Sequence, residues 1–231
     1  MIDFHSHLLP GIDDGSHDMA ETENILHQEY QQKVQSVVAT PHFYASRNSV
    51  EHFLASRQNS YEKVKQAELE DIPKVFLGAE VYYFSGMSKA EMLSKLCIEG
   101  TNLILIELPF CQWTKEVYQD IKQIIEKQKL TVILAHVERY YGYQKNKEIW
   151  NKIFSLPVYA QINAGSFLKW QKRRFCIKFI KEGHKVLLGS DCHNTTSRIP
   201  NLEQGRKILK EKLGEQVLSE IDNLGRSILP N

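Results

Sequence analysis

Residues 1–7 read MIDFHSH, a short apolar run that ends in two histidines with a single residue between them. Successive side chains of a β-strand point to opposite faces, so His5 and His7 lie on the same side of the chain. Two imidazoles placed in this way can hold one metal ion, although an HxH pair alone is weak evidence for a metal site. The next residues, 8–15, read LLPGIDDG, a turn-rich loop that can return a carboxylate to the same place.

Similar apolar runs recur along the chain with helical segments between them and predict seven β-strands. We place these strands at residues 1–5, 35–40, 74–80, 102–107, 130–136, 158–163 and 185–190. Their starts lie 27 to 39 residues apart, close to the length of a strand, a helix and two turns. Helical periodicity is present around residues 26–34 and 53–61, in 116–128 and 171–181, and in 201–222, which predicts one or two closing helices. We therefore expect an α/β fold, a closed or nearly closed parallel barrel that forms a single domain over residues 1–231.

The near-neutral composition excludes several classes of protein. The 231 residues include 29 Lys and Arg against 28 Asp and Glu, which gives a net charge of +1, and 42% of them are hydrophobic. Such a chain can bury a sizeable core and lacks the basic excess typical of proteins that bind nucleic acids or anionic membranes. It contains no signal-peptide pattern and no apolar run of about 18 residues. We expect a cytoplasmic protein with no integral membrane segment and no nucleic-acid partner.

Residues that can bind metals follow most of the predicted strands. They are His42 after the second strand, Glu80 at the end of the third, Glu107 at the end of the fourth, His136 at the end of the fifth, and Asp191 and His193 after the seventh. In parallel βα barrels the catalytic groups come from the carboxyl ends of several strands, so these side chains are expected to meet at one mouth. The other four histidines, at positions 17, 27, 52 and 184, fall in predicted helices or turns and receive no role.

The charges of this set indicate bound cations. Glu80, Glu107, Asp191 and one of the pair Asp13 and Asp14 would place four negative charges in one pocket, which is strongly destabilising without positive charge. Nitrogen and carboxylate ligands without thiolate favour manganese, iron or zinc. Metals that activate a water and clamp the oxygens of a displacement are suited to hydrolysis of a phosphate ester.

These motifs resemble those of the PHP (polymerase and histidinol phosphatase) family. The residues concerned are FHSHLLPGIDDGS at 4–16, a mid-chain Glu, AHVER at 135–139 and SDCHN at 190–194, and the likeness spans essentially the whole chain. More narrowly, the sequence is similar to the bacterial metal-dependent protein tyrosine phosphatases of capsule and exopolysaccharide operons. The resemblance implies a distorted seven-stranded (β/α) barrel with three divalent ions, most simply Mn²⁺, with iron or zinc as alternatives. It also implies a partner, the phosphorylated tyrosine-rich tail of a bacterial tyrosine kinase that controls polysaccharide chain synthesis.

The resemblance also implies a division of the ligands. One ion would take His5, His7, Glu80 and Asp191; a second would take Asp14, His42 and His193; a third would share Glu80 and add Glu107 and His136. Asp14 is preferred to Asp13 by similarity alone. Arg139 and Arg198 match the phosphate-binding positions of the family, and with Asp191 they form the expected catalytic set.

Three alternatives remain open at this level. Cys192 and Arg198 have the C-x5-R spacing of cysteine-dependent phosphatases, but residues 193–197 contain no glycine to let backbone amides converge on a phosphate. This alternative would require a reactive thiol, and the four cysteines, which are scattered without a CxxC pair, are expected to be free thiols. The same metal chemistry could act on a small ester such as histidinol phosphate, and a non-catalytic regulator that docks on a kinase would use the metals only for structure.

Overall fold

The computed structural model describes residues 1–230, and this part of the chain contains nine β-strands and seven α-helices. The strands are β1 (Ile2–Ser6), β2 (Ser36–Ala39), β3 (His42–Phe43), β4 (Lys74–Leu77), β5 (Glu80–Tyr82), β6 (Leu103–Glu107), β7 (Thr131–Leu134), β8 (Tyr159–Asn163) and β9 (Val186–Gly189). The helices are α1 (Met19–Gln31), α2 (Val50–Gln66), α3 (Lys115–Glu126), α4 (Glu148–Phe154), α5 (Trp170–Lys181), α6 (Leu202–Leu213) and α7 (Glu215–Ile228). The chain is thus an α/β protein.

All strand pairs are parallel, and each of the seven predicted positions carries a strand. The predicted strand 74–80 is split, because β5 follows β4 after Gly78 and Ala79, and a short strand outside the predicted ranges, β3, follows β2 after Pro41. Pro41 has no N–H for a ladder hydrogen bond. The strands form one sheet in the order β1-β2-β4 and another in the order β3-β5-β6-β7-β8-β9, which differs from the expected single ring of seven.

The first and last strands of the chain lie side by side. Beyond β9, the amide of Asp191 donates to the carbonyl of His5 at 2.8 Å, and the amide of His7 donates to the carbonyl of Cys192 at 2.8 Å. Gly189 permits this approach, since a Cβ built there would lie 2.7 Å from the Cβ of His5. The histidine pair of β1 is therefore held against the segment that follows β9.

The helices agree with the predicted segments, the closing segment included, with two exceptions. The closing segment consists of two helices, separated at Gly214, where φ is +89° and a side chain would be strained. Helix α4 was not predicted, because its seven residues are too few to show a clear period. Tyr30, placed by its spacing on an apolar stripe, is 45% exposed, since α1 ends at Gln31 and the chain turns before Val34.

The interior strands are buried on both faces, as is typical of parallel sheets covered by helices. All five residues of β6 are buried, and so are all four of β9. The four cysteines are free, as expected. Within residues 1–230, the helices lack the combination of length and apolar composition that a membrane-spanning helix requires.

Candidate active site

The candidate ligands from the strand ends lie in one network, in which each side chain has a nitrogen or oxygen within 3.7 Å of another member. Glu80, at the start of β5, is its centre. One of its carboxylate oxygens lies 3.0 Å from His42 Nδ1, and the other lies 2.9 Å from His136 Nε2. Glu107 Oε1 extends the network, 3.3 Å from the same nitrogen of His136. The predicted convergence of residues from separate strands is therefore present.

The hydrogen bonds of His5 and His7 leave one bare nitrogen on each ring facing the other. His5 Nδ1 donates to Gln161 at 3.0 Å, and His7 Nδ1 donates to Asp13 at 2.7 Å. A neutral imidazole that donates through Nδ1 has an unprotonated Nε2. The two Nε2 atoms lie 3.1 Å apart, and each lies 3.2 Å from Glu80 Oε2. Three electron-rich atoms this close repel one another unless positive charge lies among them, so the donor set fits a metal ion.

Other histidines of the network also lack the positive charge or hydrogen-bond partners that their buried nitrogens and the carboxylates require. His136 Nδ1 and His193 Nε2 are buried without a hydrogen-bond partner, and His42 Nδ1 lies 3.0 Å from Glu80 without the angles of a hydrogen bond, although buried polar atoms normally have a partner. Without a metal, burial disfavours a charged His7, but hydrogen bonds to Asp13 and Glu80 raise its pKa to about 10, so a proton on Nε2 would occupy the place that a cation takes when His7 is neutral. Burial and the charge on His7 lower the pKa of His193 to about 3. Protons can thus supply only part of the positive charge that the carboxylates require.

The two neighbouring acids of the PGIDDG loop have different contacts. Asp13 receives the His7 hydrogen bond, and it also accepts from the amides of Gly15 at 3.0 Å and His42 at 2.9 Å. Asp14 is instead 65% exposed and lies 3.4 Å from His42 Nε2 and 3.5 Å from His193 Nε2. Asp13 therefore orients an imidazole, whereas the carboxylate of Asp14 lies between two imidazole nitrogens.

Asp191 connects the histidines to the two arginines. Its Oδ1 lies 2.7 Å from Arg198 Nη2, and its Oδ2 lies 3.6 Å from Arg139 Nη1. Asn163 also contacts Asp191, because its side-chain amide donates a hydrogen bond to Oδ2 at 2.7 Å. Arg139 and Arg198 are 35% and 41% exposed, so both side chains reach solvent beside the cluster. A guanidinium in this position can bind two oxygens of a phosphate.

Local backbone conformations place these residues. His136 and Asp191 both follow a strand with a left-handed backbone, at φ values of 30° and 54°. Such a conformation costs about 1–3 kcal/mol in a non-glycine residue and is typical of functional sites. Beyond His193, the side-chain oxygen of Asn194 accepts from the amides of Thr196, Ser197 and Arg198 at 2.8 to 3.0 Å. This turn brings Arg198 back to Asp191.

Two residues of the site were missed in the sequence. Gln161 accepts from the amide of His136 at 2.6 Å as well as from His5, and its amide nitrogen donates to Asn163 at 2.9 Å. Asn163 is the last residue of the predicted strand 158–163. Candidate ligands were found at this position in other strands, so the same search of strand ends could have identified Asn163. Gln161 gave no such signal because it lies inside the strand.

The remaining candidates from the sequence lie outside the network. Cys192 is fully buried, and its thiol points to Glu29, with 3.9 Å between Sγ and Oε1. Burial and then the nearby carboxylates of Glu29 and Asp3 raise the pKa of Cys192 well above its usual value, so it is poorly suited to be a thiolate nucleophile. The four histidines at 17, 27, 52 and 184 make no contact with the network among the described residues.

Comparisons with known proteins agree with this arrangement. The family model for capsular polysaccharide synthesis, CpsB/CapC, matches residues 1–226. Tyrosine-protein phosphatase CpsB of Streptococcus agalactiae is 27% identical over 242 aligned positions, covering 100% of this chain and 99% of that protein. Tyrosine-protein phosphatase YwqE of Bacillus subtilis is 25% identical and covers 94% of this chain and 87% of its own length.

A solved structure has the same fold. It comes from crystal structures of YwqE from Bacillus subtilis and CpsB from Streptococcus pneumoniae, described as metal-dependent tyrosine phosphatases. The TM-score is 0.84 at 20% identity, over 99% of this chain and 94% of that one. Together with the family match over nearly the whole length, this agreement shows that the chain belongs to the CpsB/CapC family of capsular polysaccharide synthesis.

Proposed function

We propose that this protein is a metal-dependent protein tyrosine phosphatase. The observation that carries the proposal is the network around Glu80, in which five histidines and four carboxylates face one another beside two exposed arginines. Relatives in the same family bear the name tyrosine-protein phosphatase. A donor set of this kind with cationic groups at its edge is suited to phosphate monoester hydrolysis.

The metal ligands in this proposal are those expected from the strand ends. Groups of donor atoms within 4.8 Å of one another support three ions: His5, His7 and Glu80; His7, Asp14, His42 and His193; and His42, Glu80 and Glu107. Asp191 would join the first group, and His136 would join Glu80 and Glu107. Three divalent ions, Mn²⁺ before iron or zinc, would supply an activated water and neutralise charge on the phosphate.

Arg139 and Arg198 would bind the phosphate, and Asp191 would orient the Arg198 guanidinium. Asp191 holds the Arg198 guanidinium from one side at 2.7 Å, which leaves its outer N–H groups free to bind phosphate oxygens. Such preorganised donors stabilise the charge that develops on these oxygens in the transition state. A tyrosinate has a pKa of about 10 and leaves without full protonation, so the site needs no dedicated general acid.

Two groups of aromatic side chains lie beside the proposed phosphate position. Phe110 stacks on His136 with ring centroids 5.8 Å apart, and the Arg139 guanidinium lies 4.7 Å from the centre of the Phe110 ring. Tyr44 and Tyr82 form a second pair, with centroids 5.5 Å apart, next to His42. Flat apolar surfaces at the edge of a charged site favour an aryl phosphate over an aliphatic one.

The proposal also includes the domain organisation, the barrel fold and the substrate. We assign residues 1–231 to one domain, a distorted seven-stranded (β/α) barrel in which β2 with β3 and β4 with β5 each count as one strand. The hydrogen bonds between the ends of β1 and β9 support this closure. The proposed substrate is the phosphorylated tail of a cytoplasmic bacterial tyrosine kinase that regulates capsule or exopolysaccharide synthesis.

Phosphotyrosine hydrolysis with and without a chelator tests the proposal. We expect the Mn²⁺-loaded protein to release phosphate from a phosphotyrosine peptide and to lose this activity in EDTA. A Cys192→Ser variant serves as the matched test of thiolate chemistry and should retain activity, because the buried thiol does not face the site. Turnover of histidinol phosphate but not of the peptide, EDTA resistance, or loss of activity in the serine variant with metals still bound would contradict the assignment.

The different contacts of Asp13 and Asp14 predict different defects. Asp14→Asn should lower the number of bound ions and leave activity low even in saturating Mn²⁺, because it removes a ligand. Asp13→Asn should weaken metal affinity by about 10- to 100-fold through the orientation of His7, and added Mn²⁺ should restore most of the activity. Metal titrations of the two variants, followed by turnover, measure both effects. The reverse pattern would make Asp13 the ligand.

A further inference from the structure

The surface of α5 differs sharply in charge from the rest of the molecule. Residues 168–185 contain seven basic residues and one acidic residue, whereas the whole chain has a net charge of +1. The basic residues are Lys169, Lys172, Arg173, Arg174, Lys178, Lys181 and Lys185. We call residues 168–185 the α5 basic surface. The rest of the chain is therefore net negative, and the positive charge is concentrated on one side.

Most of these charges are not neutralised by the protein itself. Within residues 1–230, Lys178 is the one member of the α5 basic surface with a carboxylate within 4.0 Å of its charged nitrogen, at 3.7 Å from Glu182. Lys169 and Arg174 are exposed, and Lys172 is partly buried. A group of like charges left unpaired produces a positive potential that attracts an anionic partner.

A cavity connects this surface to the active site. It has a volume of about 320 Å³, and its lining includes Asp191 and Arg198 as well as Lys169 and Lys172. A substrate bound at the arginines therefore has the two lysines as its next neighbours on this side. On the other flank of the helix, a groove of about 850 Å³ is lined by Tyr141, among others.

The groove carries apolar surface suited to a peptide. Trp170 is 61% exposed, and the guanidinium of Arg174 lies 5.2 Å from the centre of its ring. Tyr141 is 40% exposed and is covered by the Lys147 ammonium at 3.4 Å from its ring centre. Aromatic rings with adjacent cations provide both apolar contact and charge recognition, a combination common in peptide-binding sites.

We propose that the α5 basic surface binds acidic residues of the substrate next to the phosphotyrosine, with Lys169 and Lys172 as the first contacts beyond the phosphate site. This inference rests on the proposed phosphatase function and adds a sequence preference to it. A peptide is the occupant because the lysines line a concave cavity continuous with Arg198, which an extended chain can enter and a flat lipid surface cannot follow. The charge of the surface selects carboxylates on that peptide.

Kinetics on matched peptides test this proposal. Two phosphotyrosine peptides of equal length would be used, one with Asp and Glu around the phosphotyrosine and one with Gln and Asn in their place. The Mn²⁺-loaded protein should show a kcat/KM at least about tenfold higher for the acidic peptide, and this preference should fall as NaCl increases. A Lys169→Ala/Lys172→Ala double variant should reduce the ratio of the two values to near one.

Two further variants sharpen the result. Lys207→Ala, an exposed lysine of α6 outside the surface, should keep the wild-type ratio. Lys169→Glu/Lys172→Glu should reverse the preference towards a peptide with Lys in place of the acids. Equal kcat/KM for the acidic and neutral peptides in the wild-type protein would overturn the inference and leave the phosphatase assignment intact. Absence of turnover on both peptides would overturn both.

A vesicle assay addresses a lipid occupant. If the wild-type protein shows no preference between the peptides but sediments with phosphatidylglycerol vesicles, and the double alanine variant does not, the surface binds anionic membranes and the peptide proposal is wrong. Retention of the peptide preference without sedimentation supports it.

Discussion

Changing Glu80 to Gln should remove most of the bound metal and lower kcat/KM for a phosphotyrosine peptide by roughly 10³-fold or more. Its carboxylate oxygens lie within 3.2 Å of nitrogens from His5, His7, His42 and His136, so no other side chain contacts as many members of the network. Gln keeps the size of the side chain but removes its charge and replaces one acceptor with an N–H donor. Bare imidazole nitrogens would then face one another without the anion that attracts cations.

Metal content and turnover of the Glu80→Gln protein should be measured together, after loading with excess Mn²⁺. Glu91→Gln is the matched control, because Glu91 is exposed and is not one of the candidate ligands. A variant that kept a full complement of metal and most of its activity would show that Glu80 is not a shared ligand. The proposed centre would then have to be built from the remaining carboxylates.

The success of the sequence in placing these residues has a simple physical cause. Parallel strands end at one edge, so a polar residue that terminates an apolar run is directed to the same place as the others. His136 and Asp191 were identified in this way although both have left-handed backbones that the sequence does not reveal. The rule depends only on where the apolar run ends in the sequence, not on the backbone conformation that follows it.

Contacts between side chains were not predictable in the same way. Gln161 lies inside β8 and reads as part of a buried strand, and its role follows only from the positions of His5 and His136. The difference between Asp13 and Asp14 depends on the turn that places one carboxylate against His7 Nδ1 and exposes the other. Similarity indicated Asp14 as the ligand, and this stays a prediction with which the contacts of the two acids are consistent.

The hydrophobic pattern of the sequence also did not predict which strands pair in each sheet. The predicted strand 74–80 is continuous in sequence, yet it is divided between the two sheets, and the second sheet also includes residues 42–43, which lie beyond the predicted strand 35–40. Neither Pro41 nor Gly78 indicates which sheet the residues after it join. The division matters for the site because β3 and β5 begin at His42 and Glu80, whose backbones pair with each other in parallel register.

Arg198→Ala should lower kcat/KM by about 10²- to 10³-fold, equivalent to about 2.7–4 kcal/mol of transition-state stabilisation, while metal content stays near that of the wild-type protein. The reason is that the Arg198 side chain contacts the candidate ligands only through Asp191, at 2.7 Å, and Asn163 still holds the other oxygen of Asp191 at 2.7 Å, so loss of Arg198 should affect phosphate more than metal. Arg198→Lys should recover only part of the activity, because a single ammonium cannot bind two phosphate oxygens as a guanidinium does.

The double variant Arg139→Ala/Arg198→Ala shows whether the two arginines act together or independently. Both guanidiniums approach the same carboxylate, Arg198 on Oδ1 and Arg139 on Oδ2 of Asp191, so their losses should not add. Arg226→Ala, on the exposed face of α7, controls for the loss of a surface charge and should leave kcat/KM unchanged. If Arg198→Ala instead lost metal in proportion to activity, the arginine would be holding Asp191 in position, and the phosphate contact would be assigned to Arg139 alone.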